Sequence, residues 1–256
     1  MGIDVRKTAA LDAARKAGLF LKKSLGKVRR VSYKGDINLV TDVDEKAEAI
    51  IIGIIRKQFP GDSILSEEAG RDSGAGEFLW IIDPLDGTTN FFRSFPFFSV
   101  SIAFARRGEI VFGAVYDPLR DELFHARKGE GAFLNRRRVR VSRVKKISDA
   151  FLATGFSYNV RSTANTNIKN FSRFLKKALA IRRAGSAALD LAYVACGRFD
   201  GFWELDLKPW DAAAGSLIVE EAGGRVTRFD SSPYTYVVND LLASNSLIHS
   251  AMSRLL

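Results

Sequence analysis

Between Phe78 and Ala126 the apolar residues stop recurring at helical spacing and fall into short runs separated by turn residues. Phe78–Ile82, Phe97–Ala105, Ile110–Tyr116 and Glu122–Ala126 read as strands, and Arg106-Arg107-Gly108-Glu109 as a hairpin turn joining two of them. Helical patterns flank this block without strict β-α-β alternation. That combination implies an α+β fold in which helices pack on sheets.

Upstream, Leu11, Ala14, Gly18, Leu21 and Leu25 form the stripe of an amphipathic helix, with Asp4 as its N-cap and Gly26 as its stop. A second helix spans about Val43–Phe59, buries Ala47, Ile50, Ile51, Ile54 and Ile55, and ends at Pro60-Gly61. Thr41/Asp44 and Asp42/Glu45 both have capping-box spacing. Downstream, helices are predicted over about Thr163–Leu179, Ser186–Cys196, Asp211–Ala222 and Ser246–Leu255, with strands at Phe202–Leu205 and Arg225–Phe229. Val139 and Val141 alternate with Arg138 and Arg140 as in a half-buried strand. Gly70–Gly76 and Asn159–Asn167 read as the least ordered stretches.

Composition narrows the chemistry. The 256 residues include only two histidines, His125 and His249, and one cysteine, Cys196. An internal disulfide, a thiolate metal cluster and an HExxH-type zinc site are all excluded. Metal chemistry must rest on oxygen ligands, which favours Mg²⁺, Mn²⁺ or Ca²⁺. Cys196 reads as a core thiol and both histidines as structural. The 39 Lys and Arg against 29 Asp and Glu give a net charge of +10. Such an excess argues for a polyanion partner only where it clusters, and seven basic residues do so between Arg136 and Lys146. That run reads as the solvated rim of a hairpin turning at Asn135-Arg136, with an RNA- or transcription-complex-associated role as the alternative from a different class. Met1–Lys23 lacks the apolar core of a signal peptide, and no run approaches the ~18 apolar residues of a membrane span. A cytoplasmic protein that uses no membrane is expected.

The acids carry the most information. An apolar strand, Trp80-Ile81-Ile82, runs into Asp83-Pro84-Leu85-Asp86-Gly87-Thr88-Thr89-Asn90. Pro84 fixes the backbone between the acids and Gly87 permits a tight turn, so Asp83 and Asp86 fall on one side of it. The amides of Gly87, Thr88 and Thr89, at a helix start, favour an anion. Carboxylates beside anion-binding amides are compatible when a divalent cation bridges them to a phosphate. Ser66-Glu67-Glu68 follows the apolar Ile64-Leu65, and Trp210-Asp211 precedes small residues that let a helix approach another backbone closely.

W-I-I-D-P-L-D-G-T-T-N-F at Trp80–Phe91 and W-D-A-A-A-G-S-L-I-V-E-E-A-G-G at Trp210–Gly224 resemble the paired signatures of the inositol monophosphatase family of Mg²⁺-dependent, lithium-sensitive phosphatases. L-V-T-D-V-D at Leu39–Asp44, S-E-E at Ser66–Glu68 and G-S-A-A at Gly185–Ala188 extend the likeness over nearly the whole chain. The resemblance implies a layered α/β/α/β/α sandwich of the inositol monophosphatase/fructose-1,6-bisphosphatase type. It implies one catalytic domain over 1–256, with a metal-site half to about 145 and a second half from about 146, usually as a homodimer.

It further implies two to three Mg²⁺ ions per site. Glu67, Asp83 and the Leu85 carbonyl would hold the first and Asp83, Asp86 and Asp211 the second; Glu67 with water would hold a weaker third. Thr88 would orient the attacking water with Asp44 in support, and the Gly87 and Thr88 amides would hold the phosphate. Asp86, Gly185, Ser186, Ala187 and Glu204 would meet the substrate on its alcohol side. The implied reaction is in-line hydrolysis of a small phosphate ester, inositol monophosphate first. Arg182, Arg183 and Arg198 leave fructose 1,6-bisphosphate open, because a guanidinium binds phosphate bidentately; a dual activity and histidinol phosphate are further alternatives. Phe91, Phe92, Phe95, Phe97 and Phe98 read as core or subunit interface.

Overall fold

The computed structural model describes residues 2–28, 30–33, 39–163 and 166–256. The chain opens with helix α1 (Ile3–Ser24), the paired strands β1 (Val31–Tyr33) and β2 (Leu39–Thr41), and helix α2 (Asp42–Gln58). There follow β3 (Ser63–Ser66), β4 (Gly70–Asp72), β5 (Phe78–Asp86), the short helix α3 (Thr88–Phe92), β6 (Ser99–Arg106), β7 (Glu109–Asp117), β8 (Glu122–Arg127), β9 (Gly131–Leu134) and β10 (Arg137–Arg138). After them come β11 (Phe151–Thr154), α4 (Ile168–Leu175), β12 (Ala180–Arg182), α5 (Ala187–Ala195), β13 (Gly201–Leu205), α6 (Pro209–Glu221), β14 (Arg225–Thr227), β15 (Asp240–Ser244) and α7 (His249–Ser253).

The strands expected between Phe78 and Ala126 form the centre of an eight-stranded sheet in the order β10-β9-β8-β7-β6-β5-β3-β4. A five-stranded sheet has the order β12-β11-β13-β15-β14. Helices α1 and α2 cover the outer face of the larger sheet, α5 and α6 lie between the sheets, and α4 and α7 lie against the smaller one. This is the α/β/α/β/α layering of the expected α+β sandwich. Alternation along β5 and β6 serves both faces: Trp80, Ile82, Ile102 and Phe104 join the cluster under α1 and α2, while Ile81 and Ala103 join the cluster around α5 and α6. The hairpin at Arg106–Glu109 forms with Arg107 and Gly108 at positive φ (52° and 83°), as a two-residue turn requires.

Several expectations change. Helix α1 starts at Ile3 after Gly2, so Asp4 lies in its first turn and does not cap it. The buried stripe of α1 is alanine-rich (Ala9, Ala10, Ala13, Ala14, Ala17), which lets α2 pack close. The Thr41/Asp44 capping box forms, but Asp42 instead accepts from Lys46 Nζ (2.7 Å) and Glu45 is exposed. Val139 and Val141 are half-buried as expected but form no strand, since their amides donate to Ala132 and Ala222 on separate elements. Gly70–Asp72 is ordered as β4 through pairing with β3. The helix expected over Thr163–Leu179 contracts to α4, and the one over Ser246–Leu255 to α7. The expected loose stretch Asn159–Asn167 falls partly outside the described residues, at 164 and 165. Of the phenylalanines after the acid turn, Phe91, Phe97 and Phe98 are buried and Phe92 and Phe95 are exposed. Among the described residues no helix is long and apolar enough to cross a membrane.

One close approach places α6. A Cβ built on Gly113 of β7 would lie 2.7 Å from the Ala214 carbonyl oxygen and 2.8 Å from its Cα. The small-residue face behind Asp211 thus meets a strand position without a side chain. Gly113→Ala is expected to destabilise the protein by about 1–3 kcal/mol, the range for overpacking, and urea denaturation checks it.

Candidate active site

A cavity of about 490 Å³ opens where the end of β5, the start of α3, the segment after β11, the start of α5, the end of β13 and the start of α6 meet. The pairing of β5 with β6 slips between Asp83 and Asp86, where Pro84 has no amide to donate. Both acids line the cavity and both are buried. Asp83 Oδ1 accepts from the Leu85 amide at 3.0 Å. Asp86 Oδ2 accepts from Ser186 Oγ (2.5 Å) and from the Ala188 amide at the start of α5 (2.8 Å).

Gly87 holds a left-handed conformation (φ 96°), and a Cβ there would meet the Gly185 and Phe97 carbonyl oxygens, each at 3.1 Å. A side chain at this position would be strained by its backbone conformation and tightly packed against both carbonyls. Asn90 Nδ2 donates to the Phe97 and Ala184 carbonyls at 2.7 and 2.8 Å, tying the turn to the loop before α5. Thr88 Oγ1 donates to Asp44 Oδ1 at 3.0 Å, while Asp44 Oδ2 accepts from the Thr41 amide and hydroxyl. The capping box of α2 therefore also positions the Thr88 hydroxyl. The Glu67 amide donates to the Ile82 carbonyl (3.2 Å), which sets the end of β3 beside β5. Asp211, third residue of α6, accepts from the Lys208 amide at 2.7 Å.

The electrostatics follow from this crowding. Burial pushes the Asp83 carboxyl well above the usual carboxylate range, and the charges of Glu67, Asp86 and Asp211 push it further. Burial likewise raises Asp211, against the pull of the Lys208 amide. Burial raises Asp86 to about 6, with the Ser186 and Ala188 hydrogen bonds opposing. Glu204 is half-buried yet enclosed by the cavity wall, and that enclosure raises it to about 8 although Arg183 opposes. Among the described residues no three acids already stand as a ready cation site. The donor set nevertheless fits one: oxygen ligands that repel each other in a shared cavity suit a hard divalent cation.

Of the residues expected here, Glu67, Asp83, Leu85, Asp86, Gly87, Thr88 and Asp211 line the cavity, as do Arg183, Gly185, Ser186, Ala187 and Glu204. Asp44 stands one hydrogen bond behind Thr88. Arg198 does not line the cavity, and the expectation that it meets a substrate is corrected. Its guanidinium pairs with both oxygens of Glu122 (2.5 and 2.5 Å) and lies over the Tyr193 ring. Arg182 is exposed, with its guanidinium over Phe151. Sequence reading missed Asp190, Gly155 and the wall from Phe156 to Asn159. An acid within the apolar helix Ala187–Ala195 was the available signal for Asp190; the wall residues carry no motif. Outside the site, His249 is buried between the Thr227 and Ser244 hydroxyls, and burial lowers it to about 4.

The sequence model of the inositol monophosphatase family matches residues 4–256. The chain belongs to that family. A protein of Escherichia coli K12 named Nus factor SuhB is 45% identical over 246 residues, covering 95% of this chain and 92% of its own. An inositol-1-monophosphatase of Synechocystis is 43% identical over 249 residues, covering 96% and 87%. The solved structure of inositol monophosphatase from Anabaena superposes with a TM-score of 0.91 at 42% identity, covering 100% of this chain and 96% of that one.

The raised Glu204 has a consequence for stability. Enclosure raises the native Glu204 carboxyl to about 8, whereas in the unfolded chain it loses its proton near the ordinary glutamate value of 4.5. Wild-type stability therefore falls relative to Glu204→Gln as pH rises through this window. After discounting for partial exposure, the difference at pH 8 is of order 2 kcal/mol. Thermal unfolding of both proteins in chelator from pH 5 to 8 checks it.

Proposed function

We propose that this protein is a Mg²⁺-dependent phosphomonoesterase acting on inositol monophosphate. The observation that carries this reading is the meeting of Glu67, Asp83, Asp86 and Asp211 in one cavity with a Thr88 hydroxyl tied to Asp44. Family membership supports it. Asp83, Asp86, Asp211 and Glu67, with the Leu85 carbonyl, would hold two to three ions. When bound, Mg²⁺ supplies Lewis-acid stabilisation of the phosphoryl and leaving oxygens. Thr88 Oγ1, which lies 3.0 Å from Asp44 Oδ1 and 3.1 Å from the Leu85 carbonyl oxygen as acceptors for its proton, offers its lone pairs to the attacking water and fixes its line of approach. The amides of Gly87 and Thr88 hold the phosphate oxygens. Asp86, Gly185, Ser186, Ala187 and Glu204 form the side that meets the alcohol. Residues before 145 and after 146 both line the cavity, which supports reading the chain as one catalytic domain.

The choice of substrate rests on the hydrogen-bonding groups of the cavity wall. Arg198 and Arg182 are engaged elsewhere, leaving Arg183 as the arginine on this wall, opposite the acids Glu204 and Asp190. Such a wall offers a second phosphate one guanidinium, whereas polyol hydroxyls can pair with the enclosed carboxyls in either protonation state, so fructose 1,6-bisphosphate is the weaker reading. Asp83→Asn is expected to lower Mg²⁺-dependent phosphate release from inositol 1-phosphate about a hundredfold or more. It should also abolish the rise in Tm that Mg²⁺ gives the wild type. A fully active variant would sink the assignment.

A second reading, association with a transcription complex, draws on the name Nus factor SuhB among the relatives and on the exposed Arg136, Arg137 and Arg138 at the rim of the larger sheet. Replacing all three with Ala should reduce the steepness with which salt weakens RNA binding by up to about three ion equivalents. An unchanged salt slope in a filter-binding titration removes this reading.

A further inference from the structure

We infer that Asp190 is a specificity residue of this cavity, which together with Glu204 accepts hydrogen bonds from at least two free hydroxyls of the leaving alcohol. This deepens the phosphomonoesterase reading and rests on it. Asp190 lies in the first turn of α5, 1% exposed, and lines the cavity on the side of Glu204. Its Oδ1 is fully buried and has no hydrogen-bond partner. The other buried acids differ: Asp83 takes an amide, Asp86 an amide and a hydroxyl, Asp44 an amide and two hydroxyls. An acid in a helix's first turn is ordinarily solvated and complements the dipole from outside. One that is enclosed with an unmet acceptor is costly, and that cost marks a group awaiting a donor.

The surroundings specify the donor. Glu204 lies directly over Gly155, where any Cβ would collide with its carboxylate, so the carboxylate is held at the cavity wall. The backbone beneath is fixed by Asn167, which donates to Thr154 Oγ1 (2.8 Å) and the Gly155 carbonyl (2.7 Å) and accepts from Trp203 Nε1 (2.8 Å). Burial raises the Asp190 carboxyl well above the usual carboxylate range, and the charges of Glu204 and Asp86 raise it further against the pull of Arg183. A second phosphate at this wall would find a single exposed guanidinium. Hydroxyl groups satisfy both acids without adding negative charge, and a site built to bind hydroxyls rejects esters that lack them.

The test compares inositol 1-phosphate with 4-nitrophenyl phosphate, which has no free hydroxyl, for wild type, Asp190→Asn and Asp190→Ala in Mg²⁺. The expected result for Asp190→Ala is a loss of about tenfold or more in kcat/KM on inositol 1-phosphate, mostly in KM, with a loss at least fivefold smaller on the aryl ester. Asp190→Asn, which keeps one acceptor oxygen, should fall between. Equal losses on both esters, or none on either, overturn the proposal. Thermal shift with free inositol provides the second measurement. A rise in Tm for wild type that is lost in Asp190→Ala supports the role even if neither ester is hydrolysed, in which case only the phosphatase reading fails. An equal rise in both proteins, or none in wild type, overturns it.

Discussion

Carboxylates enclosed together raise one another's proton affinity, and Glu67, Asp83, Asp86 and Asp211 are enclosed together in one cavity. The surrounding structure is arranged to tolerate them. The N-terminus of α2 carries Asp44 in its capping box, that of α5 sends the Ala188 amide and the Ser186 hydroxyl to Asp86, and that of α6 sends the Lys208 amide to Asp211. Positive ends of the α5 and α6 dipoles thus meet Asp86 and Asp211. They offset the repulsion only in part, since Asp83 and Asp211 stay raised despite their amide donors. The residual excess of negative potential would suit a hard divalent cation.

Bringing those helix ends together is the task of the layers. α5 and α6 reach the cavity because they lie between the two sheets, and α2, on the opposite face of the larger sheet, acts on it through the Asp44–Thr88 hydrogen bond. The Gly113–Ala214 contact fixes how closely α6 approaches. On the far side, Arg6 of α1 forms a buried two-bond pair with Asp62 (2.8 and 2.8 Å), and Asp62 also accepts from Trp80 Nε1 of β5 at 2.9 Å. The strand that delivers Asp83 and Asp86 is thereby joined to both outer helices' layer and its own sheet.

Much of this was legible in the sequence because its causes are local. Strand periodicity placed β5 to β8, and Gly87 marked a turn whose left-handed conformation favours glycine. Thr41 and Asp44 announced their capping box by spacing alone. The small residues after Asp211 signalled close approach without naming Gly113 as the partner. Elements that depend on distant partners were not legible: β4 exists through β3, β12 through β11, and the Val139–Val141 stretch reads as a strand yet finds amide acceptors on two different elements.

The same division holds for the site. By itself the sequence determined its acids, its turn and the family, because a few side chains at fixed spacing around Pro84 and Gly87 suffice to specify them. Only the tertiary structure decided which arginines remain at the cavity, since Arg198 carries no local sign of its pairing with Glu122 across 76 residues. It also decided that Asp190 is an enclosed acceptor rather than a solvated first-turn acid. Burial and partner choice are properties of surfaces brought together across layers, and no spacing along the chain encodes them.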